Sequence, residues 1–555
     1  MKKTIALLLV FIYSFVFFCG CDNSLDTSSL LSSDYTQNDK SAAKTIRLLY
    51  SSKDSLDPFT CVTEQNADLS QLIFDPLLIV NNQYEIEYRL AKNVEVSGNT
   101  CTVELINAKF SDGSSVTPDD VVFSFNKAKK SKTTRHSSAL KYAYLATVAD
   151  DNTVVFSLKR SDPYFANLLT FPIMKKGSDE LKDTDNQLLV PIGAGRYVFD
   201  NQTATLTLNP NFYGAVSVIK KIETVDCPDT ESVNQAINAG MVDHYFSDLS
   251  GNSIPKMNGN SVGVSQNRIV FLGINSKNSQ LSNSLFRQAI SSAINRQEIC
   301  KTAYYGNATS ALGPFPTIWK EVEGLLSIQS DSNVNIAKNN IEFAGYTQKN
   351  KDGFYLLKNN SPITFSLLVN SNNNSRMIAA DIIAKALADV GLKIKVNSVT
   401  ERQYYSMLKS GSYDLYLGEI RYEDNMDISG LVSLDSALNF LPNSNSTDEN
   451  VDKIPASKTS SISTSNYSSS SSNVSNLSSN EEILTPGEIT LTTIDAYKGF
   501  YNEKYSLQDL ITAFNAELPI IPICFKNGMV IYSDRFGSGI TPSKTELFHG
   551  IQYLK

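Results

Sequence analysis

Between Pro362 and Gly418 the hydrophobic period switches from two to 3.6 and back, which restricts the chain to folds that contain a parallel sheet. Ile363 to Val369 is an apolar run of strand length. A helix follows in which Ala379, Ile383, Leu387 and Val390 share one face, and Gly391 stops it. Leu392, Ile394 and Val396 then alternate with Lys393 and Lys395, as in a strand with one polar face. The three pieces form a β-α-β unit, whose crossover is right-handed. Thr400 is placed to cap a short helix from Glu401 to Lys409, Gly411 ends it, and Tyr413 to Leu417 reads as another strand. The segment from Glu419 to Asp427 therefore leaves the carboxyl end of a strand, where open α/β sheets bind ligands. Its candidate contacts are Glu419, Arg421, Tyr422, Glu423, Asp424 and Asp427.

The amino-terminal residues say where such a domain works. Lys2 and Lys3 precede an apolar run from Thr4 to Phe18, too short and wrongly flanked to span a bilayer but suited to a secretory signal. Phe18-Cys19-Gly20-Cys21 then puts a small residue directly before a cysteine, as at bacterial lipoprotein processing sites. The expectation is a signal peptide over 1–20, diacylglycerol on Cys21, and an extracytoplasmic protein anchored to the cell membrane, facing outward or into a periplasm, without spanning it. Residues 21–44, rich in Ser, Asp and Asn, read as a tether.

More than 500 residues exceed what one core usually serves, so two or three lobes are expected. The net charge of -8, with no basic cluster beyond Lys127 to Lys132, lacks the electrostatic footprint of a nucleic-acid binder. After Cys21, five cysteines remain (Cys61, Cys101, Cys227, Cys300 and Cys524), with no CxxC or metal-ligand spacing; a disulfide framework is not expected, though one pair stays open. The three histidines lie far from one another and from any cysteine, so no zinc site or catalytic triad suggests itself. Residues 443–481 are dominated by Ser, Asn and Thr and read as a disordered insertion within a domain, since patterned sequence resumes at Ile483. Near the start, Phe110, a turn at Ser111-Asp112-Gly113-Ser114, and Thr117-Pro118 predict a strand-turn-helix capped by Thr117.

Tyr88-Arg89-Leu90-Ala91 to Val96, Ala108-Lys109-Phe110-Ser111-Asp112-Gly113 and Thr117-Pro118-Asp119-Asp120-Val121-Val122-Phe123-Ser124-Phe125 together resemble the signature of the family 5 solute-binding proteins of bacterial ABC importers. Further matches follow in the family's order: Leu56-Asp57-Pro58, Ile73-Phe74-Asp75-Pro76-Leu77, Pro191-Ile192-Gly193-Ala194-Gly195-Arg196-Tyr197, Leu208 to Tyr213, Phe286 to Ile290, Ala293 to Arg296 and Leu518 to Ile523. The resemblance implies an α/β fold of two lobes closing by a hinge (class II), with an extra subdomain inserted in lobe I at about 75–190. Lobe I would span 45–273 and resume over 501–555, and lobe II would span 274–500. It also implies capture of short peptides in the interlobe cleft and delivery to permease subunits by a monomer that needs no cofactor and is not an enzyme. A peptide-signal receptor, or a carrier of a sugar or metal chelate, would use the same fold.

The resemblance places a carboxylate just after the strand Tyr413 to Leu417 against a peptide's ammonium group. Here the usual tryptophan is replaced by Ile420, and Asp427 is favoured, then Asp424, with Glu423 a third choice; each is equally at home as a solvated loop charge. Arg421 would meet a ligand carboxylate or pair with Glu423. Trp319, which follows Gly313-Pro314-Phe315-Pro316, would pack over the ligand or be buried structure.

Overall fold

The computed structural model describes residues 45–131, 133–249, 257–326, 331–432, 491–534 and 539–553. The signal peptide, the tether with Cys21, and the Ser-rich insertion lie outside these residues.

The molecule is a two-lobed α/β protein. The predicted β-α-β unit forms as Thr364–Asn370, the helix Asn374–Asp389 and Lys393–Val399, with the two strands paired in parallel. Thr400 makes a capping box with Gln403 at the start of Glu401–Ser410, and Gly411, at φ +68°, ends that helix. Ala379, Ile383, Leu387 and Val390 are all buried in the core of the second lobe, as their common face requires. The strand after this helix runs from Leu415 to Arg421, longer than the apolar run suggested. The extension comes from its neighbour: Asn260–Ile274 pairs antiparallel with it through Arg268 to Arg421. Glu419, Ile420 and Arg421 are thus strand residues and not loop.

Asn260–Ile274 and Ile520–Tyr532 connect the lobes. Over 260–265 and 527–532 they pair beside His244–Ser247; over 268–274 and 520–526 they join the strands of the second lobe. Register shifts between Ser265 and Arg268 and between Val270 and Phe271 interrupt the ladder inside the first strand, before the 273/274 position where the sequence reading divides the lobes. Ile269 and Phe271 face one hydrophobic core while Val270 and Leu272 face the other.

In the first lobe, Thr45–Tyr50, Tyr197–Asp200, Thr205–Leu208 and Lys221–Asp226 make one four-stranded sheet. Ala91–Ser97, Thr100–Leu105, Ala143–Asp150 and Thr153–Leu158 make another within the 75–190 stretch. The strand-turn-helix appears as read: Gly113 takes φ +87°, and Thr117 and Asp120 cap the helix Pro118–Lys130 reciprocally. The paired motifs at Ile73 and Pro191 are one packing unit, since Gly195 N donates to Ile73 O (2.8 Å) and Tyr197 N to Leu72 O (2.9 Å).

Candidate functional site

Glu419 lies at the carboxyl end of its strand, on the same side as Leu415 and Leu417, and its side chain is nearly inaccessible. Three cations converge on it: Arg376 at the start of the helix Asn374–Asp389 (3.1 Å), Arg268 (3.2 Å) and Lys526 (3.7 Å). Burial alone would raise the Glu419 carboxyl, but Lys526, Arg376 and Arg268 overcome it and hold the pKa at about 2. Asp248 lies 3.8 Å from Arg268, so among the described residues three cations, Arg268, Arg376 and Lys526, stand with two carboxylates, Glu419 and Asp248. Among the described residues, Arg376 Nε and the Tyr304 hydroxyl are buried without hydrogen-bond partners. The cluster is chemically prepared for an anion.

Beyond the strand, Tyr422 N still donates to Asn267 O (2.8 Å), and the Tyr422 ring is buried with its hydroxyl on Pro314 O (2.8 Å). Glu423 and Met426 then close a turn (3.0 Å) in which Met426 adopts φ +58°. That left-handed conformation costs an L-residue roughly 1–2 kcal/mol.

The three loop carboxylates sit in different surroundings. Asp427 is buried and ion-paired with Arg160 (3.0 Å) and Lys141 (3.3 Å), and it accepts from Tyr497 Oη (2.8 Å) and Ser429 N (2.9 Å). Burial opposes its ionisation, but Arg160 and then Lys141 hold the carboxyl below its ordinary value. Asp424 accepts from Lys544 Nζ (2.8 Å) and Asn267 Nδ2 (2.7 Å) through one oxygen. Glu423 is only half-buried and accepts from the Ser138 hydroxyl (2.7 Å); among the described residues it has no ion-pair partner. Arg421 is exposed, opposite Arg268 in the ladder, and forms no ion pair with Glu423.

Arg160 ties the 75–190 stretch to Asp427 and to the helix Thr493–Phe500. Its guanidinium lies between the rings of Tyr142 (3.7 Å) and Tyr501 (3.5 Å) and also donates to Tyr497 Oη (2.7 Å). Nearby, Asn425 donates to the buried Asp162 (2.7 Å), whose carboxyl is pushed up to about 6 chiefly by burial. Trp319 is buried edge-on against Tyr164 (4.9 Å) and Phe315 (5.2 Å), and with Tyr497, Phe500 and Tyr501 it lines a small void beside this contact.

The structure therefore brings Tyr422, Glu423, Asp424, Asp427 and Trp319 to one region and leaves Arg421 at its edge. The sequence reading passes over Arg160, Lys141, Tyr497 and Lys544, whose partners are distant in the chain and carry no local motif. Arg376 had a usable signal, because it opens a helix after a parallel strand. The reading also overlooks that Gly259-Asn260-Ser261-Val262-Gly263 has the spacing of a nucleophile elbow. Ser261 lies instead on an exposed part of a continuous strand, opposite Ile531, without the strand-to-helix turn that spacing needs. Among the described residues no group of three or more His, Cys, Asp or Glu side chains is placed to hold a metal ion.

Residues 85–439 match the family described as bacterial extracellular solute-binding proteins, family 5 Middle. The oligopeptide-binding protein AppA of Bacillus subtilis is 24% identical over 356 residues, covering 60% of this chain and 65% of that one. The chain thus spans just under two thirds of that curated relative. Among solved structures, the periplasmic murein tripeptide binding protein MppA in its unliganded open form aligns with TM-score 0.66 at 16% identity over 92% of this chain and 96% of that one. NikA from Brucella suis in complex with Fe(III)-EDTA aligns with TM-score 0.59 at 16% identity over 92% and 99%. At such identities the structural likenesses establish the fold.

Proposed function

Since the chain belongs to the family 5 bacterial extracellular solute-binding proteins, we propose that it is the substrate-binding component of an ABC importer, a monomer that captures short peptides between its lobes and delivers them to a permease. The observation that carries this reading is the separation of charge along one extended segment. Among the described residues, cations outnumber carboxylates around Arg376 and donors there lack partners, while Glu423 has no ion-pair partner within 4 Å. A zwitterion with its charges well apart satisfies both, and a desolvated charge needs such a partner. Glu419 and Glu423 are four residues apart, roughly 13 Å at ~3.3 Å per residue, which suits a short extended peptide better than a single amino acid.

Glu423 thereby replaces Asp427 and Asp424 as the preferred ammonium acceptor, because both aspartates are already neutralised by lysine or arginine. Tyr422 and Trp319 shape the surroundings, and Arg421 lies at the rim. The name of the B. subtilis relative supports a peptide cargo, while the Fe(III)-EDTA complex of NikA marks the alternative of a chelate held by the cation cluster.

Calorimetry with peptides of two to six residues tests the proposal. Acetylating the amino terminus and amidating the carboxyl terminus should each weaken binding by about 2–5 kcal/mol, the cost of stranding one partner of a buried charge pair. Glu423→Gln should remove the sensitivity to acetylation, and Arg376→Gln the sensitivity to amidation. Binding indifferent to both modifications, or a response to metal chelates alone, rejects the peptide cargo and leaves the family standing. The lipid anchor belongs to the same proposal: cells supplied with labelled palmitate should label the chain but not its Cys21→Ser variant.

A further inference from the structure

Behind the cation cluster lie two thiols that the proposed capture mechanism does not use. Cys524 is on Ile520–Tyr532, where Ser310 of the short strand Ala308–Ser310 is its cross-strand partner. Directly opposed antiparallel residues hold their Cβ atoms ~4.5–5.5 Å apart on one face of the sheet. Cys300, on the helix Arg296–Thr302 packed over that face, has its sulfur 3.9 Å from Ser310 Oγ. The two cysteines therefore share one neighbour and one side of the sheet, and both lie in the core of the second lobe.

A buried guanidinium accompanies them. Arg296 donates to Pro522 O (2.8 Å) and to Ser291 O (3.0 Å) and Oγ (2.8 Å), next to both thiols. The neighbouring Cys524 thiol brings the Cys300 thiol below its ordinary value despite burial, with Ser310 and Arg296 acting in the same direction. Burial pushes Cys524 far up. Such asymmetry between a nucleophile and a resolving thiol is what thiol-disulfide exchange uses.

We propose that Cys300 and Cys524 are a disulfide-forming pair in which Cys300 is the nucleophile. With a low-molecular-weight disulfide such as oxidised glutathione, the Cys300 thiolate attacks one sulfur and releases a glutathione thiolate, leaving a mixed disulfide. Cys524 then gives its proton to that thiolate and attacks the Cys300 sulfur, releasing the second glutathione as thiolate. The protein loses two electrons and two protons, and one glutathione disulfide becomes two thiols. Both cysteines are shielded from solvent, so exchange requires opening of the helix Arg296–Thr302 or occurs while the lobe folds. The resulting bond would tie that helix to the strand that carries Lys526.

The test is a peptide map of the purified full chain, alkylated after exposure to oxidised glutathione, both folded and during refolding. The expected product joins Cys300 to Cys524 and leaves Cys61, Cys101 and Cys227 individually alkylated; dithiothreitol should reverse it. In Cys524→Ala the glutathione adduct should persist on Cys300, whereas in Cys300→Ala Cys524 should stay unmodified. Recovery of Cys300 and Cys524 as separate alkylated peptides under both conditions, or a bond from either to another cysteine, overturns the proposal. The wild-type map decides even if a variant fails to fold.

Discussion

Asp427 has two cations, a tyrosine hydroxyl and a backbone amide around it, and its role follows from that company. It fastens the 75–190 stretch to the second lobe's loop, so Asp427→Asn should loosen the contact before it alters any ligand chemistry. Removing one member of a buried ion pair typically costs ~3–5 kcal/mol. The pH dependence has a definite sign: the folded carboxyl titrates below its unfolded value, so its contribution is present above about pH 4 and is lost as pH falls through the folded pKa. Urea unfolding at pH 7 should show a large deficit in the variant, and the two proteins should converge in acid. Equal midpoints at neutral pH would mean that Arg160 and Tyr497 hold the contact without Asp427.

At the scale of elements, two glycines explain why the motif at Pro191 must accompany the one at Ile73. A Cβ on Gly193 would lie 2.0 Å from Ile73 O, and one on Gly195 would lie 2.5 Å from Ile73 C. Neither glycine has a positive φ, so the requirement is close backbone approach and not conformation. Gly193→Ala must push two main chains apart and break their hydrogen bonds, a loss of about 2–4 kcal/mol. Gly263, on the lobe-connecting strand, would place a Cβ in open space at negative φ, so Gly263→Ala should be nearly silent. Denaturant midpoints of the two variants check the contrast; similar losses at both sites would refute the packing explanation.

For the whole molecule, the carboxyl-terminal segment fastens distant parts together. Lys544 reaches Asp424, Glu546 pairs with Arg89 (2.5 Å) and His549 (3.1 Å), and Leu547 O meets the ring nitrogen of His244 (3.2 Å). Burial lowers the His244 pKa to about 4, so the folded protein keeps this imidazole neutral where the unfolded chain protonates it. Its effect is a loss of stability as pH falls from about 6.5 to about 4. His549 is raised by its hydrogen bond to Glu546, so its contribution is complete below about pH 6.5 and disappears as pH rises through the folded value. Asp75 and Asp162, both raised to about 6 by burial, oppose His244 on the acid side, and the difference between proteins is therefore the informative quantity. The stability of His244→Phe relative to wild type should improve steadily between pH 6.5 and 4. A difference independent of pH would show that His244 titrates alike in the folded and unfolded states.

The local rules of the chain were readable without coordinates: the β-α-β unit, the caps at Thr117 and Thr400, the stop at Gly411 and the glycine turn at Asp112-Gly113 all depend on neighbours within a few residues. The family signature was readable for the same reason, since it is built of such pieces. What the tertiary structure decided was the fate of each charge. Glu419, Glu423, Asp424 and Asp427 lie within nine residues and look alike in sequence, yet one is held by three cations, one has no ion pair among the described residues, and two are sealed by Lys544 and Arg160. Coulomb partners are chosen by proximity in space, and Arg160, Lys526 and Lys544 come from strands and segments that only the folded lobes bring to the same loop.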